Sequence, residues 1–262
     1  MIHYVIILAA GKGLRLKNAK TPKQFLELHN LPIVMHSALA FKKADPDSKL
    51  YIALPKGYIS HWQKICKKHN FHIPHEVYIG GGRRVDTVWI GLNKIQNDIK
   101  IRENKKSQSP AINNASNKHL ISIHDGARPF IDSKFIISLM KSAQKNYSAV
   151  PVIQLKNSLR KFKTEKKNIS ESRDRTNYAL TQTPQVFSFS YIYNAYLKII
   201  QLEKANHDNK FFDDSSVFDY LENNHAINIV DGREYNIKIT NDLDYFLAPS
   251  IYKFFQKLTC RN

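Results

Sequence analysis

The residues best suited to chemistry lie directly after the first apolar run of this 262-residue sequence. The segment Ala9-Ala10-Gly11-Lys12-Gly13-Leu14-Arg15 follows a predicted strand, and Thr21-Pro22-Lys23 comes shortly after it. Glycines let backbone N–H groups approach anionic oxygens closely, and Arg15 and Lys23 add positive charge. The loop lacks the third glycine of a dinucleotide fingerprint and the Gly-Lys-Ser/Thr of a Walker A loop. The pattern predicts a loop that grips the phosphates of a nucleoside triphosphate, with a plain tight turn as the alternative.

Three further groups of polar residues follow along the chain. Gly80-Gly81-Gly82 comes shortly before Thr87 and offers exposed backbone groups and a hydroxyl to a ligand, unless the turn merely caps a helix. Asp125 and Arg128 end a predicted strand, either as site residues or as a structural salt bridge. Asp213-Asp214 could contact a metal ion through water, although capping of the next helix is the preferred interpretation.

The elements that must position these groups alternate between strands and helices. The predicted strands are Tyr4–Leu8, Leu50–Leu54, Glu76–Ile79, Leu120–His124 and Ala149–Ile153. The predicted helices are Ile33–Ala44, Ile59–Asn70, Val85–Gln96 and Ser133–Tyr147, with Asp132 as a cap for the last. This alternation predicts an α/β fold, Rossmann-like, with a doubly covered and mostly parallel sheet. Ligands of such sheets lie beyond the carboxyl ends of the strands.

Two segments depart from this alternation within what we expect to be a single domain, residues 1–262. Residues 101–119 are polar and without period, which predicts a flexible surface loop. Residues 154–177 predict a protruding β-arm, a hairpin with little apolar surface of its own. Because an isolated hairpin is marginally stable in water, we expect it to pack on a second subunit, as a homodimer.

Composition and charge exclude several classes of protein. Cys66 and Cys260 are too few for a disulfide framework and suit a cytoplasmic location. The sequence lacks the roughly 18 consecutive apolar residues of a membrane span, so no membrane partner is expected. The net charge of +18 raises the question of nucleic-acid binding. The lysines are scattered in pairs without a nucleic-acid motif, which favours an enzyme that acts on polyanionic substrates.

The chain resembles the 2-C-methyl-D-erythritol 4-phosphate cytidylyltransferase family of nucleotidyltransferases in a series of segments, beginning with LAAGKGLRLKNAKTPKQFLEL. The further matching segments are GGGRRVDTV from Gly80, HDGARPF from His124, Asp174-Arg175, QTPQVF from Gln182, Asp213-Asp214-Ser215-Ser216 and NIKIT from Asn236. Their order and spacing extend the resemblance through nearly the whole chain. It implies transfer of CMP from CTP to 2-C-methyl-D-erythritol 4-phosphate with release of pyrophosphate.

The resemblance also implies roles for individual residues. Arg15 and Lys23 are implied to hold the triphosphate, and Lys238 to bridge the two reacting phosphates, so that all three are catalytic. The implied nucleotide-binding residues are Ala9, Ala10, Gly11, Gly13, Gly81, Gly82, Thr87, Asp125 and Gly126. The implied substrate-binding residues are Arg128, Arg175 and Thr183. Arg175 is implied to lie on the arm that crosses to the partner subunit, where it grips the substrate phosphate, and Thr183 is implied to be similarly placed. A divalent metal is expected because the charge of the triphosphate must be neutralised, and Mg²⁺ is bound mainly through the CTP phosphates, with few protein ligands.

The sequence departs from the family at Phe212, where a threonine that contacts the polyol phosphate is usual. A phenyl ring cannot donate that hydrogen bond, so ribitol 5-phosphate stays open as the acceptor, as in a sister family of cytidylyltransferases. A more distant alternative is a basic nucleic-acid-binding protein on an inactive fold. That alternative predicts salt-dependent binding of DNA or RNA that survives Lys23→Ala.

Overall fold

The computed structural model describes residues 1–11, 21–106, 119–166, 168–203, 211–220 and 226–260. The strands are β1 (His3–Leu8), β2 (Glu27–Leu28), β3 (Leu31–Pro32), β4 (Lys49–Leu54), β5 (His75–Ile79), β6 (Leu120–Asp125), β7 (Ser148–Gln154), β8 (Leu159–Phe162), β9 (Ser170–Arg173), β10 (Ala179–Thr181), β11 (Gln185–Ser188) and β12 (Ile229–Asp231). The helices are α1 (Ile33–Ala44), α2 (Ile59–Lys68), α3 (Arg84–Lys106), α4 (Ser133–Asn146), α5 (Phe189–Glu203), α6 (Asp214–Asp219) and α7 (Asp242–Cys260). None of these helices, as far as they are described, is long and apolar enough to cross a bilayer.

The main sheet is mixed, with a parallel half that carries the site. Its order is β10-β7-β11-β6-β1-β4-β5, and β12 pairs with β7. Strand β1 is parallel to both β4 and β6, and β4 is parallel to β5. Strand β11 runs antiparallel to its neighbours β6 and β7. The carboxyl ends of β1, β5 and β6 therefore point to the same edge of the sheet, where the predicted loops begin.

Helices cover both faces of this sheet, which explains the continuous apolar runs of its central strands. On one face, the strands pack against α3 and α5 through residues such as Val88 and Tyr196. On the other face, α1, α2 and α4 contribute Phe41, Trp62 and Phe135. The predicted Rossmann-like α/β fold is confirmed.

Helix α3 is longer than predicted, so the expected loop at 101–119 was wrong for residues 101–106. Ile95 and Ile99 continue the apolar repeat of the helix and are buried, which extends its packed face. The Nε atom of Arg102 also donates to Asp98 Oδ2 at 2.7 Å, one turn earlier. Residues 107–118 of the expected loop lie outside the described part of the chain.

The other predicted elements agree closely with the structure. Helix α1 has the predicted bounds, and the five predicted strands correspond to β1, β4, β5, β6 and β7. Helix α2 ends before its predicted limit, because Asn70 adopts a left-handed conformation with φ of 49°. Asp132 caps α4 by accepting a hydrogen bond from Phe135 N at 2.8 Å.

The segment 154–177 contains a hairpin that stands apart from the main sheet. Among the described residues, strands β8 and β9 pair only with each other, with Leu159 opposite Arg173 and Phe162 opposite Ser170. Phe162 and Ile169 are exposed in the single chain. The hairpin is present where the alternating pattern predicted it, and its use in dimerisation stays a prediction.

Candidate active site at the carboxyl ends of the strands

A cleft of about 520 Å³ opens at the carboxyl ends of β1, β5 and β6. Its described lining residues are Leu8, Ala9, Ala10, Gly11, Lys23, Gln24, Gly81, Gly82, Arg83, Arg84, Thr87, Asp125, Ala127, Lys238 and Thr240. They come from five separate parts of the chain. Most of the predicted nucleotide-binding residues therefore lie around one cavity, as the topology of the sheet requires.

The start of the predicted phosphate loop is held by a buried amide. Gln24 donates from Nε2 to the carbonyl oxygens of Ala9 at 2.6 Å and of Gly11 at 3.1 Å. Gln24 belongs to a short 3₁₀ turn, Lys23–Phe25, that follows Pro22. The same turn therefore fixes the loop and places Lys23 beside it. Gly13 and Arg15 lie outside the described residues.

Two lysines from opposite ends of the chain meet at the cleft. The Nζ atom of Lys23 donates to the carbonyl oxygen of Ile239 at 2.8 Å. The next residue back, Lys238, places Nζ 2.9 Å from Asp125 Oδ2. Ile239 is itself attached to the end of β6, because its N–H donates to Ala127 O at 2.9 Å. Two positive charges thus face one cavity from different segments.

Asp125 is an ionised carboxylate surrounded by cations. Besides Lys238, it faces Arg128 Nε at 3.5 Å and Arg84 Nε at 4.0 Å. Burial by itself would raise the pKa of Asp125, but Lys238, Arg84 and Arg128 together hold that pKa well below its usual range. The carboxylate keeps these side chains oriented without removing the net positive charge of the cleft.

The glycine turn after β5 packs closely against neighbouring residues because Gly80 and Gly81 have no side chain. A Cβ atom on Gly80 would lie 2.3 Å from Ala10 Cβ, and one on Gly81 would lie 2.4 Å from Asp86 Cβ. The hydroxyl of Thr87 accepts from Gly81 N and donates to Arg83 O, both at 3.0 Å. Thr87 is therefore the residue that closes the turn, and its hydroxyl is engaged within it.

Arg84 is a cleft residue that the sequence patterns did not reveal. Its Nη1 and Nη2 atoms donate to the two carboxylate oxygens of Asp214 at 2.8 and 2.6 Å. Burial alone would lower the pKa of Arg84, but Asp214 raises it above the ordinary value. The only local signal was that Arg84 lies two residues after Gly82, the last glycine of the turn. Asp214 is distant in sequence, so no spacing could have paired the two.

Two predicted binding residues lie behind the wall of the cleft and do not line it. Arg128 donates from Nη1 to Asn236 O at 2.7 Å and packs between Asp125 and that segment. Burial lowers the pKa of Arg128, and Asp125 offsets part of this effect. Gly126 lies against β1, since its N–H donates to Leu8 O at 2.9 Å. The structural salt bridge considered for Asp125 and Arg128 is present.

Arg175 was expected on the arm and Thr183 in a similar place, and the structure separates the two residues. Thr183 is 4 % exposed and lies beneath β6, where its Oγ1 accepts from Asp125 N at 3.0 Å. The reason is that Thr183 lies two residues before β11, an inner strand of the main sheet. Arg175 is exposed on the arm, donates to Lys156 O, and does not line the cleft of its own chain.

The acidic residues of the site decide how a metal could be bound. Asp213 caps α6, accepting from Ser216 N at 2.9 Å and from Gln185 Nε2 at 2.8 Å. The predicted cap is therefore present at Asp213. Asp125 is the one acidic residue among the described lining of the cleft. One carboxylate suits a magnesium ion that is carried mainly by nucleotide phosphates.

Comparison with known proteins assigns the chain to a family. The model of the IspD family, 2-C-methyl-D-erythritol 4-phosphate cytidylyltransferase, matches residues 3–103 and 102–253. The chain belongs to this family. The predicted family membership is therefore confirmed, and with it a nucleotidyltransferase that uses CTP.

Relatives within the IspD family match along nearly their whole length. A protein of Azobacteroides pseudotrichonymphae genomovar. CFP2, named 2-C-methyl-D-erythritol 4-phosphate cytidylyltransferase, is 34% identical over 250 residues, covering 95% of this chain and 97% of that protein. A protein of the same name from Bacteroides thetaiotaomicron is 32% identical over 248 residues, covering 94% of this chain and 98% of that protein.

Solved structures show the same fold at lower identity. The 4-diphosphocytidyl-2C-methyl-D-erythritol synthase of Anaerococcus prevotii superimposes with a TM-score of 0.73 at 21% identity, covering 96% of each chain. The 2-C-methyl-D-erythritol 4-phosphate cytidylyltransferase of Francisella tularensis superimposes with a TM-score of 0.70 at 22% identity, covering 96% of this chain and 100% of that one. The IspD architecture is thus shared by the described residues.

Proposed function

We propose that this IspD-family chain transfers CMP from CTP to 2-C-methyl-D-erythritol 4-phosphate and releases pyrophosphate. The observation that carries the proposal is the meeting of Lys23 and Lys238 at one cleft beside the phosphate loop. Two anions repel each other, and such a reaction requires positive groups that hold both. The net charge of +18 also favours the encounter with polyanionic substrates.

The chemistry needs no covalent nucleophile on the protein. An oxygen of the acceptor phosphate attacks the α-phosphorus of CTP, the bond to the oxygen that bridges to the β-phosphate breaks, and pyrophosphate leaves with the electron pair. Lys23 and Arg15 hold the triphosphate, and Lys238 lies between the α-phosphate and the acceptor phosphate. Cations that face developing charge in a partly enclosed site stabilise the transition state more than the ground state.

The two ends of the nucleotide have different partners in this proposal. The phosphates lie over the N–H groups of the loop that begins at Ala10 and Gly11, and the base lies at Gly81 and Gly82. A Cβ on Gly82 would have no neighbour closer than 3.8 Å, which leaves its backbone groups open to the cleft. Asp125 faces the ribose, and it is the described carboxylate of the cleft lining that would contact Mg²⁺. When Mg²⁺ is bound with CTP, it neutralises part of the phosphate charge.

The acceptor site in this proposal includes a second subunit. Arg175 on the exposed arm supplies a guanidinium fork that matches phosphate oxygens. Because Arg175 does not line the cleft of its own chain, we infer that it reaches the cleft of the partner in a homodimer. Thr183 contributes from beneath by holding Asp125 N, and Arg128 by holding the segment that leads to Lys238.

Ribitol 5-phosphate is the second candidate acceptor, because Phe212 is 83 % exposed where the family usually has threonine.

We expect the protein to release pyrophosphate when it is incubated with CTP, Mg²⁺ and 2-C-methyl-D-erythritol 4-phosphate. We expect Lys23→Ala to lower turnover by about 10²–10³. The control is Lys67→Ala, an exposed lysine of α2 that does not line the cleft. Turnover with ribitol 5-phosphate alone would reassign the acceptor, and tight nucleic-acid binding retained in Lys23→Ala without turnover would favour the distant alternative.

A further inference from the structure

Arg84 joins three parts of the cleft that are separate in sequence. It is the first residue of α3, and Arg83 alone separates it from the glycine turn. Its guanidinium binds both carboxylate oxygens of Asp214 in α6, and its Nε lies 4.0 Å from Asp125 at the end of β6. Its side chain is 26 % exposed and forms part of the cleft wall.

Asp214, the acidic partner of Arg84, is held in place by several hydrogen bonds. Asp214 is 0 % exposed, and its Oδ1 also accepts from Tyr196 OH at 2.6 Å. The N–H of Ser215, the next residue, donates to Gln185 Oε1 at 2.9 Å, which ties α6 to strand β11. A buried carboxylate whose two oxygens both accept from a guanidinium, and one of them also from a hydroxyl, has little freedom to move.

The first turn of α3, which begins at Arg84, is joined to the glycine turn by short hydrogen bonds. Arg83 N donates to Asp86 Oδ2 at 3.0 Å, and Gly81 N donates to Thr87 Oγ1 at 3.0 Å. Both acceptors belong to the first turn of α3, which Arg84 begins. A shift of that turn relative to α6 therefore shifts the backbone at residues 81–83 by a similar amount.

We propose that Arg84 is a positioning residue that sets the base selectivity of the cleft, a proposal that rests on the function inferred above. Glycines have no side chain with which to distinguish cytosine from uracil. The Gly81 N–H is held by Thr87, so selection at Gly81 and Gly82 depends on where their other backbone groups lie relative to the base edge. Hydrogen bonds weaken steeply with distance and angle. The Arg84–Asp214 pair fixes that distance.

Arginine is required in this arrangement because it binds at two points. A lysine at position 84 keeps the positive charge beside Asp214 and Asp125, but it offers a single ammonium on a flexible stem. Arg84→Lys therefore preserves the electrostatics and removes the rigid geometry. The matched control is Arg102→Lys, which changes an arginine paired with Asp98 on the same helix, outside the cleft lining.

The test measures binding of CTP and UTP with Mg²⁺ by calorimetry, together with the free energy of unfolding in urea. We expect the preference for CTP over UTP to fall about tenfold in Arg84→Lys, as for one misplaced hydrogen bond, and to stay unchanged in Arg102→Lys. Should Arg84→Lys fail to fold, Tyr196→Phe keeps both charges and loosens Asp214, and we expect a smaller fall in the same preference.

Several outcomes would overturn the inference. A wild-type protein without preference for CTP would do so, as would a folded Arg84→Lys whose preference is unchanged while its affinity for both nucleotides falls equally. The second result would indicate a structural role alone. Wild-type binding of CTP without pyrophosphate release would contradict the proposed function and leave the selectivity test valid, since that test measures binding only.

Discussion

Replacement of Lys238 by methionine separates its role in the reaction from its role in the fold. The ammonium lies 2.9 Å from Asp125, but the side chain is 37 % exposed, so solvent screens the pair. Asp125 also keeps Arg128 and Arg84 as partners after the change. We therefore expect the free energy of unfolding to fall by no more than about 1 kcal/mol. A cation that faces developing charge on two phosphates contributes about 3–4 kcal/mol to the transition state, or roughly 10²–10³ in kcat.

The assay for Lys238→Met combines initial rates of pyrophosphate release at saturating CTP and acceptor with urea unfolding followed by circular dichroism. Lys67→Met serves as the control for loss of an exposed lysine. A kcat that stays within about threefold of the wild type would refute the proposed role, because such a change is under 1 kcal/mol. A loss of stability similar in size to the loss in activation free energy would show that Lys238 acts mainly as a structural partner of Asp125.

Three other perturbations have defined outcomes. Gly80→Ala places a Cβ 2.3 Å from Ala10 Cβ and separates the two loops, so we expect CTP affinity to fall at least about tenfold in calorimetry; unchanged affinity would show that the turn yields freely. Burial lowers the pKa of His124 from 6.5 to about 4 and that of His3 to about 3, so the unfolded chain binds more protons below pH 6.5. The contribution of the two neutral rings to the free energy of unfolding should therefore be fully present above pH 6.5. It should fall as the pH drops toward 4, by on the order of 3 kcal/mol for His124 alone. A urea midpoint that does not change over this pH range would contradict the burial of the neutral rings. If the arm acts across a dimer, mixing inactive Lys23→Ala and Arg175→Ala subunits restores about a quarter of wild-type turnover, since mixed dimers contain one intact site; no recovery would place Arg175 in its own chain's site.

The sequence determined most of the fold and a large part of the site, because the relevant signals are local. Strand and helix periodicities lie within short windows, and parallel strands with helical crossovers bring the loops after β1, β5 and β6 to one edge. Positively charged side chains on or just after those loops, such as Lys23, therefore lie at the same edge of the sheet. The capping role of Asp213 could likewise be predicted from the residues next to it.

Only the tertiary structure decided which residues behind the cleft form hydrogen bonds and ion pairs with one another. The pairing of Arg84 with Asp214 joins groups that no period or spacing relates, because it depends on where the fold places α6 relative to the start of α3. Thr183 is buried beneath β6 for the same kind of reason: the strand that follows it enters the main sheet beside β6, and this pairing is a long-range event. Sequence patterns report what a segment prefers by itself, whereas these contacts depend on which segments the folded core brings together.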